Sequence, residues 1–258
     1  MKGVMMRMRN RLGILLLAAL VLLPIRSLSA QEKLSAAPVL DKLDKVANGF
    51  DDQEMDIEMT IIDTGGSKKS YNFNIKQKGN DRRLVRFRSG EIKGMATLTE
   101  AANRAYVYLP GYKKVRRVAA HNMNQSFAGS DFSNSDMATS CWKCLYDGTV
   151  EREDASHYTL TLTPKKGTDT GYARVSMKVS RQSFRQEDTD YFNAAGDLVK
   201  TFRVSNTRTY SCGVTQPETI EMADPRSGHK TTLTVKELKV NQGFKDSMFT
   251  ERELQWGK

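Results

Sequence analysis

Apolar and polar positions follow a helical period early in the chain and a period of two afterwards. Over residues 38–48, Val39, Leu40, Leu43, Val46 and Ala47 recur at helical spacing, while Asp41, Lys42, Asp44 and Lys45 fall on the other side. Pro38 suits a first turn and Asn48-Gly49 a C-terminal cap. The stretch is therefore predicted to be an amphipathic helix that needs an apolar surface to cover. From Met55 the period becomes two. Met55, Ile57, Met59 and Ile61 alternate with Glu54, Asp56, Glu58 and Thr60. After a turn at residues 64–67, Tyr71, Phe73 and Ile75 alternate with Ser70, Asn72 and Asn74. Successive side chains of a strand point to opposite faces, so this is a hairpin with one buried face. Further strands are predicted at 83–88, 94–100, 104–109 and 113–118, with Pro110-Gly111 as the turn between the last two. Strands this close leave no room for parallel crossovers, so they form an antiparallel meander.

The second half has the same style. Tyr158, Leu160 and Leu162 mark a strand ending at Pro164, and Val175, Met177 and Val179 mark another. Tyr191 and Phe192 lead into a turn at 193–197, and the chain returns through 198–204. Ile220 and Met222 precede a turn at 224–228; the strand after it carries Leu233 and Val235, then shifts phase to Leu238 and Val240. Such a shift predicts a bulge near Lys236-Glu237. About ten to eleven strands exceed what a flat sheet holds easily. The expected fold is mainly β (α+β): a curved antiparallel sheet forming an incomplete barrel, with short helices covering its concave face. Residues 119–133 are the longest stretch without periodicity, and loops of that length are often lids or binding loops. Ser133 to Asp136 fits a capping box, predicting a short helix whose inner face carries Met137, Cys141, Cys144 and Leu145.

The first residues read as a secretory signal peptide spanning 1–30. Lys2, Arg7, Arg9 and Arg11 precede an apolar run from Leu12 to Leu23, which is short for a membrane span. Without this leader the net charge falls from +10 to +5, because residues 1–30 hold five basic and no acidic side chains. A mildly basic domain is not a nucleic-acid surface, but it can meet anionic headgroups. The remaining residues, 31–258, read as one domain.

Candidate chemistry is sparse. Cys141-Trp142-Lys143-Cys144 is a C-x-x-C motif, but the βαβ context of a thioredoxin-like site is not visible. In an exported chain these cysteines suit a structural disulfide, with pairing of either to Cys212 left open. His121, His157 and His229 lie apart and read as solvated. No catalytic constellation, metal site or cofactor motif is visible, so binding is expected rather than catalysis. Arg86 and Arg88 share a strand face with Leu84, opposite Val85 and Phe87. They are either solvated or turned to the concave face, where they would bond a lid or a headgroup. Lys113, Lys114, Arg116 and Arg117 form a basic cluster that either guards a sheet edge or docks on a membrane or membrane protein. Met55, Met59, Met95, Met177 and Met222 suit a core or an adaptable pocket.

Several segments carry a family resemblance. KGMATLTE (93–100), RAYVYLPGYKKVRRV (104–118), QSFAGSDFSNSDM (125–137), YFNAAGDLVKTFRV (191–204), ETIEMADPRSGHKTTLTV (218–235) and DSMFTEREL (246–254) resemble the outer-membrane lipoprotein-sorting family with the LolA-like fold. The likeness points to an uncharacterised branch of that family. It implies an incomplete barrel with helices over its mouth and an apolar cavity for the acyl chains of a lipoprotein or lipid. The residues it points to are Leu43, Val46, Met55, Met59, Phe73, Met95, Tyr106 and Tyr108 as lining, and Arg86 or Arg88 as the arginine that ties down the lid. It further implies a monomeric periplasmic carrier, serving transport to the outer membrane, with an inner-membrane transporter or an outer-membrane acceptor as partner. A sensor or adaptor of the same fold, serving an inner-membrane protein, is the alternative. This chain is longer than the carrier proper and has only Trp142 and Trp256 as tryptophans.

Overall fold

A computed structural model describes residues 34–100, 104–138 and 141–256, without the side chain of Trp256. The expected signal peptide lies outside the described residues. The chain opens with α1 (Ala37–Ala47) and continues through β1 (Asp52–Ile62), β2 (Lys68–Lys78), β3 (Arg82–Phe87), β4 (Ala96–Glu100), β5 (Ala105–Leu109) and β6 (Lys114–Arg117). Two short helices follow, α2 (Asn134–Ala138) and α3 (Trp142–Leu145). Then come β7 (Tyr146–Glu153), β8 (His157–Pro164), β9 (Arg174–Ser180), β10 (Gln186–Phe192), β11 (Leu198–Thr209), β12 (Thr215–Ala223) and β13 (Lys230–Val240). Helix α4 (Glu251–Trp256) closes the described chain. No helix among the described residues is long and apolar enough to cross a membrane.

The thirteen strands among the described residues belong to one antiparallel sheet, in the order β6-β5-β4-β3-β2-β1-β13-β12-β11-β10-β9-β8-β7. Two meanders, β1 to β6 and β7 to β13, join where β1 pairs with β13. The sheet is not closed, because β6 and β7 stand at its two ends. The count exceeds the ten to eleven expected. Strand β7 escaped detection because its sequence, Tyr-Asp-Gly-Thr-Val-Glu-Arg-Glu, has no alternation to read, and only Tyr146 is buried. The predicted bulge is present: Asp56 faces Glu237 and Ile57 faces Val235, which leaves Lys236 unpaired.

This topology forces two crossings of the concave face. The chain leaves β6 at one edge and must reach β7 at the other. On the way Phe127 packs against Phe73 and Phe87 of β2 and β3, Asp131 bonds to Thr231 of β13, and Asp136 meets Lys200 of β11. The second crossing is α1. Its entry is stitched to the β7 edge, where the Ala36 amide donates to Gly148 and the Val150 amide to Leu34. Gly148 is needed there because a Cβ would collide with the Thr161 carbonyl on β8.

Two apolar cores result, one on each face. The concave core holds Leu40 and Leu43 of α1, Phe73, Phe87, Leu160, Met177, Met222 and Leu238, together with Phe127 and Phe132 from the crossing segment. The opposite face carries a smaller core of Leu84, Ala96 and Leu98, covered by Phe249 and Leu254. Burying a side chain of this size stabilises by roughly 1.5–3 kcal/mol. The buried Asp52 carboxylate directs the chain to that second face by accepting the amides of Gln242 (2.6 Å) and Phe244 (2.7 Å).

Candidate functional site

Between the concave face and its crossings lies a cavity of about 510 Å³, within the roughly 300–1,000 Å³ common for small-molecule sites. Helix α1 contributes Leu43, Val46 and Ala47. The sheet contributes Met55, Ile57, Ile75, Phe202, Val204, Ile220, Met222, Leu233 and Val235. The crossing segment contributes Phe132, Met137, Ala138, Cys141, Trp142, Cys144 and Leu145. At one end Phe127 and Phe132 are buried and plug the half-barrel. Asn48, Gln53, Gln77, Asn80, Asp81 and Gln216 add polar groups to the lining.

A chain of hydrogen bonds ties the end of α1 to α2. The Gln77 amide donates to Asn48 Oδ1 at the end of α1 (2.9 Å) and accepts from Arg83 Nη2 (2.6 Å) and Nε (3.2 Å). Arg83 Nη1 in turn donates to the Met137 carbonyl in α2. Burial pushes the Arg83 guanidinium down to about 10, still cationic at neutral pH. Arg83 is thus the arginine of this stretch that reaches α2, whereas Arg86 and Arg88 bond elsewhere. Register decides this: Arg83 faces Gln77 and Val85 faces Ile75, both inward, so Arg86 points outward opposite Ala96. Arg86 donates to the Glu253 carbonyl (3.0 Å) in α4, and Arg88 pairs with Asp56 (2.9 Å).

The other expected lining residues divide by the same geometry. Leu43, Val46 and Met55 line the cavity. Met59 and Phe73 are sealed in solid core, and Met95 packs against its margin. Tyr106 and Tyr108 face the second core, because Leu98 pairs with Tyr106 and Ala96 with Tyr108. Lys113, Lys114, Arg116 and Arg117 are exposed on the β5–β6 hairpin beside exposed Tyr112.

The capping box at the start of α2 is formed as expected: Asp136 accepts the Ser133 amide (2.8 Å), and Ser133 Oγ accepts the Asp136 amide (3.0 Å). Met137, Cys141, Cys144 and Leu145 all reach the cavity wall, but from two short helices rather than one. Behind α2, Tyr172 donates to Asp136 (2.9 Å) and packs on Tyr191 at 4.5 Å between ring centroids. Burial raises all three tyrosines behind this wall, Tyr146 to about 12, so their hydroxyls stay protonated.

Cys141 and Cys144 form a disulfide, and Cys212 is free and exposed. Asp44 of α1 accepts the amides of Trp142 (2.8 Å) and Lys143 (2.9 Å), docking α3 on α1. Desolvation raises the pKa of that carboxyl. Residues 119–133 are not a free loop either. Buried Asp131 accepts from Thr231 Oγ1 (2.7 Å) and lies 2.8 Å from His229 Nδ1, which makes His229 an anchor rather than a solvated side chain.

Sequence reasoning missed Arg83, Gln77 and Arg185 among the cavity's polar residues. Arg83 was within reach, since it shares parity with Val85 and Phe87. Arg185 lies between strands, where no periodicity speaks.

Residues 79–256 match the model of a family described as uncharacterized protein. The chain belongs to that family. Solved structures place the family's fold. A DUF1329 family protein from Desulfovibrio piger is 25% identical, with a TM-score of 0.78 over 85% of this chain and 97% of that one. An outer membrane lipoprotein-sorting protein domain from Vibrio parahaemolyticus is 20% identical, with a TM-score of 0.76 over 85% and 97%. A LolA superfamily protein from Nitrosomonas europaea is 22% identical, with a TM-score of 0.72 over 85% and 99%. The fold is therefore LolA-like, as the sequence motifs implied. No curated protein matches the chain.

Proposed function

We propose that this protein is a periplasmic carrier that shields the acyl chains of a lipoprotein or lipid on the way to the outer membrane. The observation that carries the reading is the apolar cavity of about 510 Å³ under a lid held by a small number of polar bonds. Each methylene moved from water into such a site gains about 0.8 kcal/mol, so a C12 or longer chain is held without chemistry. The leader supplies the compartment, and the LolA-like fold supplies the precedent. Hand-over runs through the β5–β6 hairpin, where Lys113, Lys114, Arg116 and Arg117 stand exposed at an unpaired sheet edge.

One experiment tests both parts. Protein purified from the periplasm is extracted and its lipids are identified by mass spectrometry; loaded protein is then mixed with acceptor vesicles containing phosphatidylglycerol. Acyl-bearing molecules should co-purify in stoichiometric amount. Charge reversal at Lys113, Lys114, Arg116 and Arg117 should slow transfer without lowering loading. A protein that is always empty and takes up no acylated probe is not a carrier.

A further inference from the structure

Arg83 and Arg185 line the cavity, and among the described residues no carboxylate pairs with either. Arg83 is bonded by neutral acceptors, Gln77 Oε1 and the Met137 carbonyl. Arg185 has no side-chain partner among the described residues, and burial alone acts on it, lowering its pKa. The aspartates along the same wall are committed elsewhere. Asp136 is taken by Ser133, Tyr172 and Lys200, Asp169 by Asn124 and the Gly171 amide, and Asp81 lies 3.9 Å from Arg82.

The backbone goes to some length to hold Arg185 there. In the connection from β9 to β10, the Phe184 amide donates to Ser180 and the Ser180 amide to Arg185. Phe184 adopts φ 51, a left-handed conformation unfavourable for a bulky residue. Its ring is held by stacking on Tyr158 (6.2 Å between centroids) and by the Lys42 ammonium 4.5 Å above it. The next residue, Arg185, reaches the cavity wall. Lys42 adds a second positive charge beside that turn, on α1.

A partly desolvated cation without a counterion is unfavourable in the empty protein. It becomes favourable when the ligand brings the anion. We propose that the cargo is an anionic amphiphile: its acyl chain fills the apolar interior, and its carboxylate or phosphate is received by Arg185 beside α1. The planar fork of a guanidinium suits either oxyanion. The inference rests on the carrier reading and narrows it, since a neutral acylglycerol would leave Arg185 unpaired.

The test uses the full-length protein stripped of bound lipid, as wild type, R185Q and R185K. Each is titrated with dodecanoate, dodecyl phosphate and monododecanoylglycerol below their micelle concentrations. Fluorescence of Trp142, which lines the cavity, reports binding. At least one anion should bind about tenfold or more tightly than the neutral ester, the scale of a charge-assisted hydrogen bond. R185Q should abolish that preference through lost affinity for the anion, and R185K should retain part of it. Preference for dodecyl phosphate points to a phospholipid source, preference for dodecanoate to free fatty acids. Equal binding of all three by the wild type overturns the anion inference and leaves the carrier reading standing. Binding of none overturns both.

Discussion

Arg83 and Arg86 lie three positions apart on β3 and serve opposite faces of the sheet. Both donate to backbone carbonyls of short helices, Arg83 to α2 over the cavity and Arg86 to α4 on the other side. Their substitutions should therefore separate. Arg83→Met leaves the Met137 carbonyl and Gln77 Oε1 unpaired, which costs about 1–3 kcal/mol. It should raise hydrogen exchange in residues 134–138 and speed ligand release. Arg86→Met should raise exchange only in residues 249–256 and leave release unchanged. Equal effects of the two variants on release would remove Arg83 from the lid. Alternation in the sequence could have placed Arg83 with Val85 and Phe87 on the inner face. The functional expectation of a lid arginine could not choose among the arginines of β3, because pairing with Gln77 is a fact of register.

Among the elements, α1 and α3 form a clamp that reads as two unrelated segments in the sequence. Asp41 pairs with Lys143 on α3 (2.7 Å) and Lys45 on α1 (2.7 Å), and those bonds hold its carboxyl at about 2, below the usual carboxylate range. A depressed folded-state value means the stabilisation is fully present above about pH 4 and is lost as pH falls through about 2. Asp41→Asn should lower the melting temperature at pH 5, and the gap to wild type should close on acidification through pH 2. A gap of equal size at pH 1.5 and pH 5 would count against this role. Helix α1 was legible because eleven residues carry a full amphipathic period. The pieces α2 and α3, of five and four residues, are too short for periodicity; only the capping box at Ser133 announced them. Strand β7 was invisible because most of it faces neither core.

At the scale of the molecule, the sheet carries a core on each face, and the cavity described above lies on the concave one. Truncation of Leu254, fully buried on the second face, should cost about 2–5 kcal/mol by denaturant titration. Ligand affinity should stay unchanged, because the sheet lies between that core and the cavity. A change in affinity at temperatures where Leu254→Ala is fully folded would show the two faces to be coupled. The sequence by itself determined the class of fold, the amphipathic first helix, the antiparallel style, the bulge at Lys236 and the resemblance to lipoprotein-sorting proteins. Each of these is local, written in period, turn chemistry or motif. Only the tertiary structure decided which face of each strand meets the cavity, that the segment after β6 must cross the concave side, and that Arg83 and Arg185 arrive there without acidic partners. Those facts depend on which strands pair and in what register, and residues far apart in sequence settle that together.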